Sequence, residues 1–137
     1  MIKKVMILKT IVLLLIGSLL YYIFYKGVFF VELIDRIIGT HYMTIDIEID
    51  HPVLRFARNY LMDILWSCSL SSAIGLIIGT SGKITLCIIT SSGFIVIMEM
   101  IQIFSFVPGT FDVWDIVVEL LSSVITLFID KKGAVEL

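Results

Sequence analysis

The chain has 137 residues, of which 59 % are hydrophobic, and a mean hydropathy of +1.09, against roughly 45–50 % apolar residues in soluble domains. One domain of this length has no interior large enough to hide that much apolar surface, so a soluble globular fold is excluded and an integral membrane protein is expected. Ten basic and twelve acidic residues give a net charge of −2; with no basic block, the expected partner is the lipid bilayer and not nucleic acid.

The first apolar stretch runs from Val5 to Tyr25, behind Lys3 and Lys4 and interrupted only by Lys9. It is longer than the apolar core of a secretory signal peptide, and no small-residue cleavage site follows it. Tyr21, Tyr22 and Tyr25 instead suit the aromatic belt of a membrane interface, so an uncleaved helix is expected. Val28–Ile38 is apolar with charges at Glu32, Asp35 and Arg36, the pattern of a helix lying on the membrane surface. Thr44–Asp50 (TIDIEID) alternates with period two and is expected to be extended, ending at His51-Pro52. His41 and His51 have no metal-binding spacing around them.

Three more apolar stretches follow. One runs from about Leu61 to Ile78, with Asp63 near its start, and Thr80–Lys83 is expected to be a short turn. The next runs from Ile84 to Phe106, with Glu99 and Gln102 near its end, before a break at Pro108-Gly109. The last runs from Phe111 to Ile129 and is expected to stop at Asp130-Lys131-Lys132. Each has about the 17–25 residues that a bilayer-spanning helix needs. The expected fold is therefore an all-α membrane protein, a single domain over residues 1–137. It has four transmembrane helices, with an interfacial segment between the first and second. Cys68 and Cys87 lie inside apolar runs and are expected in the core. Ser69, Ser71, Ser72, Ser122 and Ser123 are small residues suited to close helix packing, and Trp66 and Trp114 suit interface anchors. The distribution of Lys and Arg favours a multi-pass protein of the cell membrane with both termini cytoplasmic. It places Lys3, Lys4, Lys9, Lys83, Lys131 and Lys132 on that side.

The polar residues of the last three stretches share one depth. Asp63 opens one helix, Glu99 and Gln102 close the next, and Asp112, Asp115 and Glu119 open the last. Because consecutive helices reverse direction, all lie at the same membrane face whichever way the protein is inserted. Arg55, Arg58 and Asn59 join them from the approach to Asp63. Asp112, Asp115 and Glu119 stand at i, i+3 and i+7, a single helix face. A carboxylate at a helix centre in hydrocarbon costs on the order of 2.5–3.5 kcal/mol on insertion scales, so such groups face a bundle interior or watery cavity and pair there. The expected site is an outward-facing acidic and amide pocket of Arg58, Asn59, Asp63, Glu99, Gln102, Asp112, Asp115 and Glu119, with one of the clustered acids held neutral and able to donate a hydrogen bond. Asp112, after Pro108-Gly109, also suits a solvated helix N-cap, and Asp63 a partner for Arg58 or Asn59.

The run EMIQIFSFVPGTFDVWDIVVELLSS (Glu99–Ser123) resembles the signature of VanZ-like membrane proteins, a family of small bacterial integral membrane proteins. That signature has a Glu and a Gln three apart at a helix end, a short loop with Gly and Arg or Thr, two Asp three apart, then Asn and Gly. Glu99, Gln102, Gly109, Thr110, Asp112 and Asp115 match it, and RNYLMDILWSCSL (Arg58–Leu70) resembles the segment that opens the preceding helix. The likeness covers about residues 58–130. Glu119 stands where the pattern has Asn, and Ser122-Ser123 where it has Gly. The resemblance implies an envelope protein, with a link to glycopeptide resistance through the family's name, but it supplies no reaction. The expected function is engagement of an envelope lipid or cell-wall precursor head group. The alternatives are a membrane-embedded enzyme using the acids for acid–base or divalent-cation chemistry, an ion carrier and a structural subunit of a membrane complex. Against a carrier, the halves of these helices beyond the acids hold no ionisable group before Lys83 and Asp130.

Overall fold

The structure, a computed structural model, describes residues 2–24, 29–39, 52–104 and 111–135. The described residues form five helices: α1 (Ile2–Phe24), α2 (Phe29–Ile38), α3 (Pro52–Ile78), α4 (Thr80–Ile101) and α5 (Val113–Val135). Three of them carry stretches long and apolar enough to cross a bilayer, Lys3–Phe24, Asn59–Ile78 and Gly82–Ile101. The helix α5, with Asp115, Glu119 and Asp130 along it, is not among these three. The TIDIEID segment, His41 and His51 lie outside the described residues.

Several boundaries differ from the sequence expectation, each for a local reason. The helix α3 begins at Pro52, well before the apolar run at Leu61. Proline suits the first helical position, where its missing N–H would have had no partner and its φ is already helical. The turn expected at Thr80–Lys83 is shorter and earlier. Gly79 alone separates α3 from α4, with a φ of 89° that a side chain would strain, and its N–H donates to the Gly75 carbonyl at 2.9 Å. Lys83 (φ −130°, ψ 30°) then kinks the start of α4. At its far end α4 stops at Ile101, so Gln102 caps the helix instead of lying within its last turns. The helix α5 does not stop at Asp130-Lys131-Lys132 but continues to Val135. Cations in a final turn are favourable at the negative end of the helix dipole.

The helix α3 is the central element. The α1 helix runs antiparallel to it: the Ser69 hydroxyl donates to the Thr10 carbonyl at 3.0 Å, and Gly17 lets the backbones approach beside Leu65. On the other side α5 runs parallel to α3, joined by side-chain contacts along its length. Ser67 Oγ meets Ser122 Oγ at 2.6 Å, Ser71 Oγ donates to Ser123 Oγ at 2.6 Å and Thr126 Oγ1 donates to Cys68 Sγ at 3.1 Å. The α4 helix packs against both, and Ile74, Cys87 and Leu127 form the apolar core where the three meet.

The interior is thus built largely of small polar residues: Ser67, Ser71, Ser72, Ser91 and Ser123 are fully buried. The large apolar side chains of α1, α4 and α5 point outward, among them Leu8, Leu15, Ile89, Ile97, Leu121 and Ile125. Water would penalise that arrangement. Lipid does not, and helix association in lipid favours small residues that allow close packing and inter-helix hydrogen bonds. The packing role expected of the serines is the one they have. The helix α2 hangs from the end of α1, where the Tyr22 hydroxyl donates to Asp35 Oδ1 at 2.6 Å. It leaves Leu33, Ile37 and Ile38 exposed, as suits a helix on an apolar surface.

Candidate functional site

The two ends of the bundle are chemically distinct. At one end, Lys9 Nζ lies 2.6 Å from Asp130 Oδ1, and the Ser72 hydroxyl donates to the other oxygen, Oδ2, at 2.8 Å. The Asp130 side chain is 5 % exposed. A charge this buried is tolerable because a cation and a hydroxyl each satisfy one of its oxygens. This contact joins α1, α3 and α5, and it also places the early part of α1 and the late part of α5 at the same end.

At the opposite end the carboxylates gather. Asp63 on α3 feels the charges of Asp115 and Glu99. Glu119 on α5 feels those of Asp63, Glu99 and Asp115, and Glu99 on α4 those of Asp115 and Asp112. Three helices therefore bring Asp63, Glu99, Asp112, Asp115 and Glu119 into one electrostatic neighbourhood. Glu119 is 3 % and Glu99 6 % exposed. Gln102 Nε2 donates to Glu99 Oε1 at 2.8 Å, whereas Glu99 Oε2 is buried with no hydrogen-bond partner. A buried carboxylate oxygen without a donor is unfavourable by about 1–3 kcal/mol or more. Glu99 thus holds one satisfied and one unsatisfied carboxylate oxygen.

Asp112 caps α5, its Oδ1 accepting the Trp114 N–H at 2.9 Å. That satisfies one of the free donors at the helix start and places negative charge at the positive end of the dipole. Below Glu119, Ser122 Oγ contacts the Val118 carbonyl at 2.8 Å and the Glu119 carbonyl at 3.0 Å. Asn59 is exposed, a turn before Asp63 on α3; Arg58 lies on the same helix, but its side chain is outside the described residues. Gly109 and Thr110, which carry part of the family resemblance, also lie outside them. Among the described residues no three His, Cys, Asp or Glu side chains converge closely enough to hold a metal ion.

Two features were not anticipated from the sequence. One is the pairing of Lys9 with Asp130. The other is an open groove of about 580 Å³ between α1, α3 and α4, lined by Leu13, Gly17, Tyr21, Asp63, Trp66 and Met98 among others. Its walls are apolar except at Ser18 and at the end where Asp63 and Tyr21 lie closely enough to interact electrostatically. The sequence signal for it, a small residue at Gly17 flanked by Leu13 and Tyr21 at helical spacing, has meaning only once α3 is known to lie opposite. Comparison of the chain with models of protein families, with curated proteins and with solved structures finds no match.

Proposed function

We propose that the chain is a VanZ-like multi-pass protein of the cell membrane, whose acidic and amide pocket engages the polar head group of an envelope lipid or cell-wall precursor. In this reading α5 is a fourth membrane crossing. Its polar face is turned to α3 through Ser122, Ser123 and Asp130, while Leu121, Ile125 and Ile129 face outward. Its charges are therefore sheltered by the bundle, as charges within a membrane protein need to be. Both termini are cytoplasmic and the acidic end faces outward, because Lys3, Lys4, Lys83, Lys131 and Lys132 favour the inner side.

The observation that carries the reading is the buried, half-satisfied Glu99 at the centre of carboxylates drawn from three helices. Packing alone gives no reason to place a carboxylate oxygen where it has no donor. A ligand group that donates hydrogen bonds to it does. The absence, among the described residues, of a three-carboxylate convergence favours an organic hydrogen-bond donor over divalent-cation chemistry.

The test is Glu99→Gln, which keeps size and hydrogen-bonding capacity but removes the anionic acceptor. The expected result is loss of glycopeptide resistance, or of another envelope phenotype, at unchanged abundance in the membrane. Full function in both Glu99→Gln and Glu119→Gln would overturn the pocket and leave a structural subunit as the better account.

A further inference from the structure

We infer that the groove between α1, α3 and α4 binds a membrane amphiphile whose head group carries a protonated amine, with its chain along Leu13, Gly17 and Met98 and its amine at Asp63. This inference rests on the pocket proposed above and specifies which head group that pocket selects. The groove and the carboxylate cluster meet at one residue, since Asp63 both lines the groove and interacts with Glu99, Asp115 and Glu119. The groove runs along α1 from Leu13 to Tyr21, roughly 12 Å at the helical rise per residue. It is open, not enclosed, and most of its lining is apolar, which suits an acyl chain.

The head group follows from charge complementarity. The charged neighbours of these carboxylates among the described residues are other carboxylates. The Lys9–Asp130 ion pair is at the opposite end of the bundle. These carboxylates repel an anionic or purely acceptor head group, such as a sulfate or phosphate alone; Arg58, on the approach to Asp63, has its side chain outside the described residues. An ammonium supplies three donors and a positive charge. It meets Asp63, the carboxylate on the groove wall, which shares its electrostatic neighbourhood with the buried, half-satisfied Glu99. Hydrogen bonds between charged groups are about twice as strong as neutral ones, so the amine is preferred over a hydroxyl on the same chain.

Trp66 lies on the groove wall, and the chain has two tryptophans, so Trp114→Phe makes Trp66 the sole tryptophan, excited selectively over the tyrosines. The full-length variant is placed in phosphatidylcholine nanodiscs and titrated with three chain-brominated probes: bromododecylammonium, bromododecanol and bromododecyl sulfate. Bromine quenches Trp66 when the chain occupies the groove. The ammonium probe is expected to half-quench Trp66 at a mole fraction on the order of tenfold lower than the alcohol, the effect of one charge-assisted contact, with the sulfate weakest. Trp66→Phe leaves Trp114, exposed beside the acidic end, as the reference for general attraction to the surface. The ammonium preference is expected at Trp66 and not at Trp114, and is lost in Asp63→Asn. Equal quenching by the three probes, the same preference at both tryptophans, or a preference that survives Asp63→Asn would each overturn the inference. If Asp63→Asn fails to insert, the three-probe comparison on the Trp114→Phe protein decides alone. Loss of the amine preference with Glu99→Gln still inactive would remove the amine and leave the pocket standing.

Discussion

Glu99 and Glu119 are both buried carboxylates in one cluster, yet they are predicted to behave differently. Glu99 has one buried acceptor oxygen without a donor and matches the VanZ-like signature that the chain resembles. Glu119 stands where that signature has a neutral Asn, is surrounded by Asp63, Glu99 and Asp115, and gains nothing from ionising among like charges. Glu119→Gln is therefore expected to retain function and to leave thermal stability in detergent unchanged or raised, by up to about 1 kcal/mol. A large loss of stability would show instead that Glu119 is ionised against a cation. Lys9 and Asp130 test the opposite case, a buried charge that does have a partner. Lys9→Met strands Asp130, and the cost is expected to be about 1–3 kcal/mol, below the usual figure for a fully buried pair because the Lys9 side chain is 32 % exposed. The double variant Lys9→Met/Asp130→Leu is expected to recover most of that loss. A double-mutant cycle by thermal unfolding measures both, and strict additivity would show the two groups to be uncoupled.

At the scale of elements, the joint between α3 and α4 leaves no room for a side chain at Gly75. A Cβ built on Gly75 would lie 2.9 Å from Thr80 Cγ2, 3.5 Å from Leu127 Cδ2 and 3.6 Å from Met6 Cε. The threonine methyl is fixed by its β-branching and cannot swing aside cheaply. Gly75→Ala is expected to destabilise by about 1–3 kcal/mol, the usual range for overpacking, and Gly75→Ala/Thr80→Ser to recover most of it by removing the opposing methyl. Thermal unfolding of the single and double variants checks this, and no recovery would place the strain elsewhere. The sequence indicates a turn near here but places it at Thr80–Lys83. Gly79 makes that turn, since its positive φ ends α3 within one residue, and Thr80–Lys83 is absorbed into a kinked first turn. Helix existence was legible from apolar run length. Helix ends were not, because Pro52 and Lys131-Lys132 are compatible with either side of a boundary.

At the scale of the molecule, the common depth of Asp63, Glu99, Asp115 and Glu119 was legible because it depends only on helix order and short links, which leave consecutive helices no choice but to reverse. The partner of Asp130 was not legible. Lys9 is 121 residues away in sequence, and nothing local to either residue indicates that α1 folds back against α3 and α5. That contact now bears on topology. It holds the early part of α1 and the late part of α5 at one end, which requires an even number of crossings between them if both helices span. A chain with α1, α3 and α4 alone in the bilayer would place its ends on opposite faces. The fourth crossing is therefore predicted from Lys9–Asp130, and the direction of insertion from the lysine bias. In a background with Cys68 and Cys87 changed to Ala, His51→Cys is expected to react with a membrane-impermeant maleimide on intact cells, and Lys132→Cys only after permeabilisation. The reverse pattern would invert the protein and leave the four crossings intact. Reaction of both sites from outside, or of neither, would place them on one face and show that α5 does not cross, because three successive spans would not then separate His51 from Lys132.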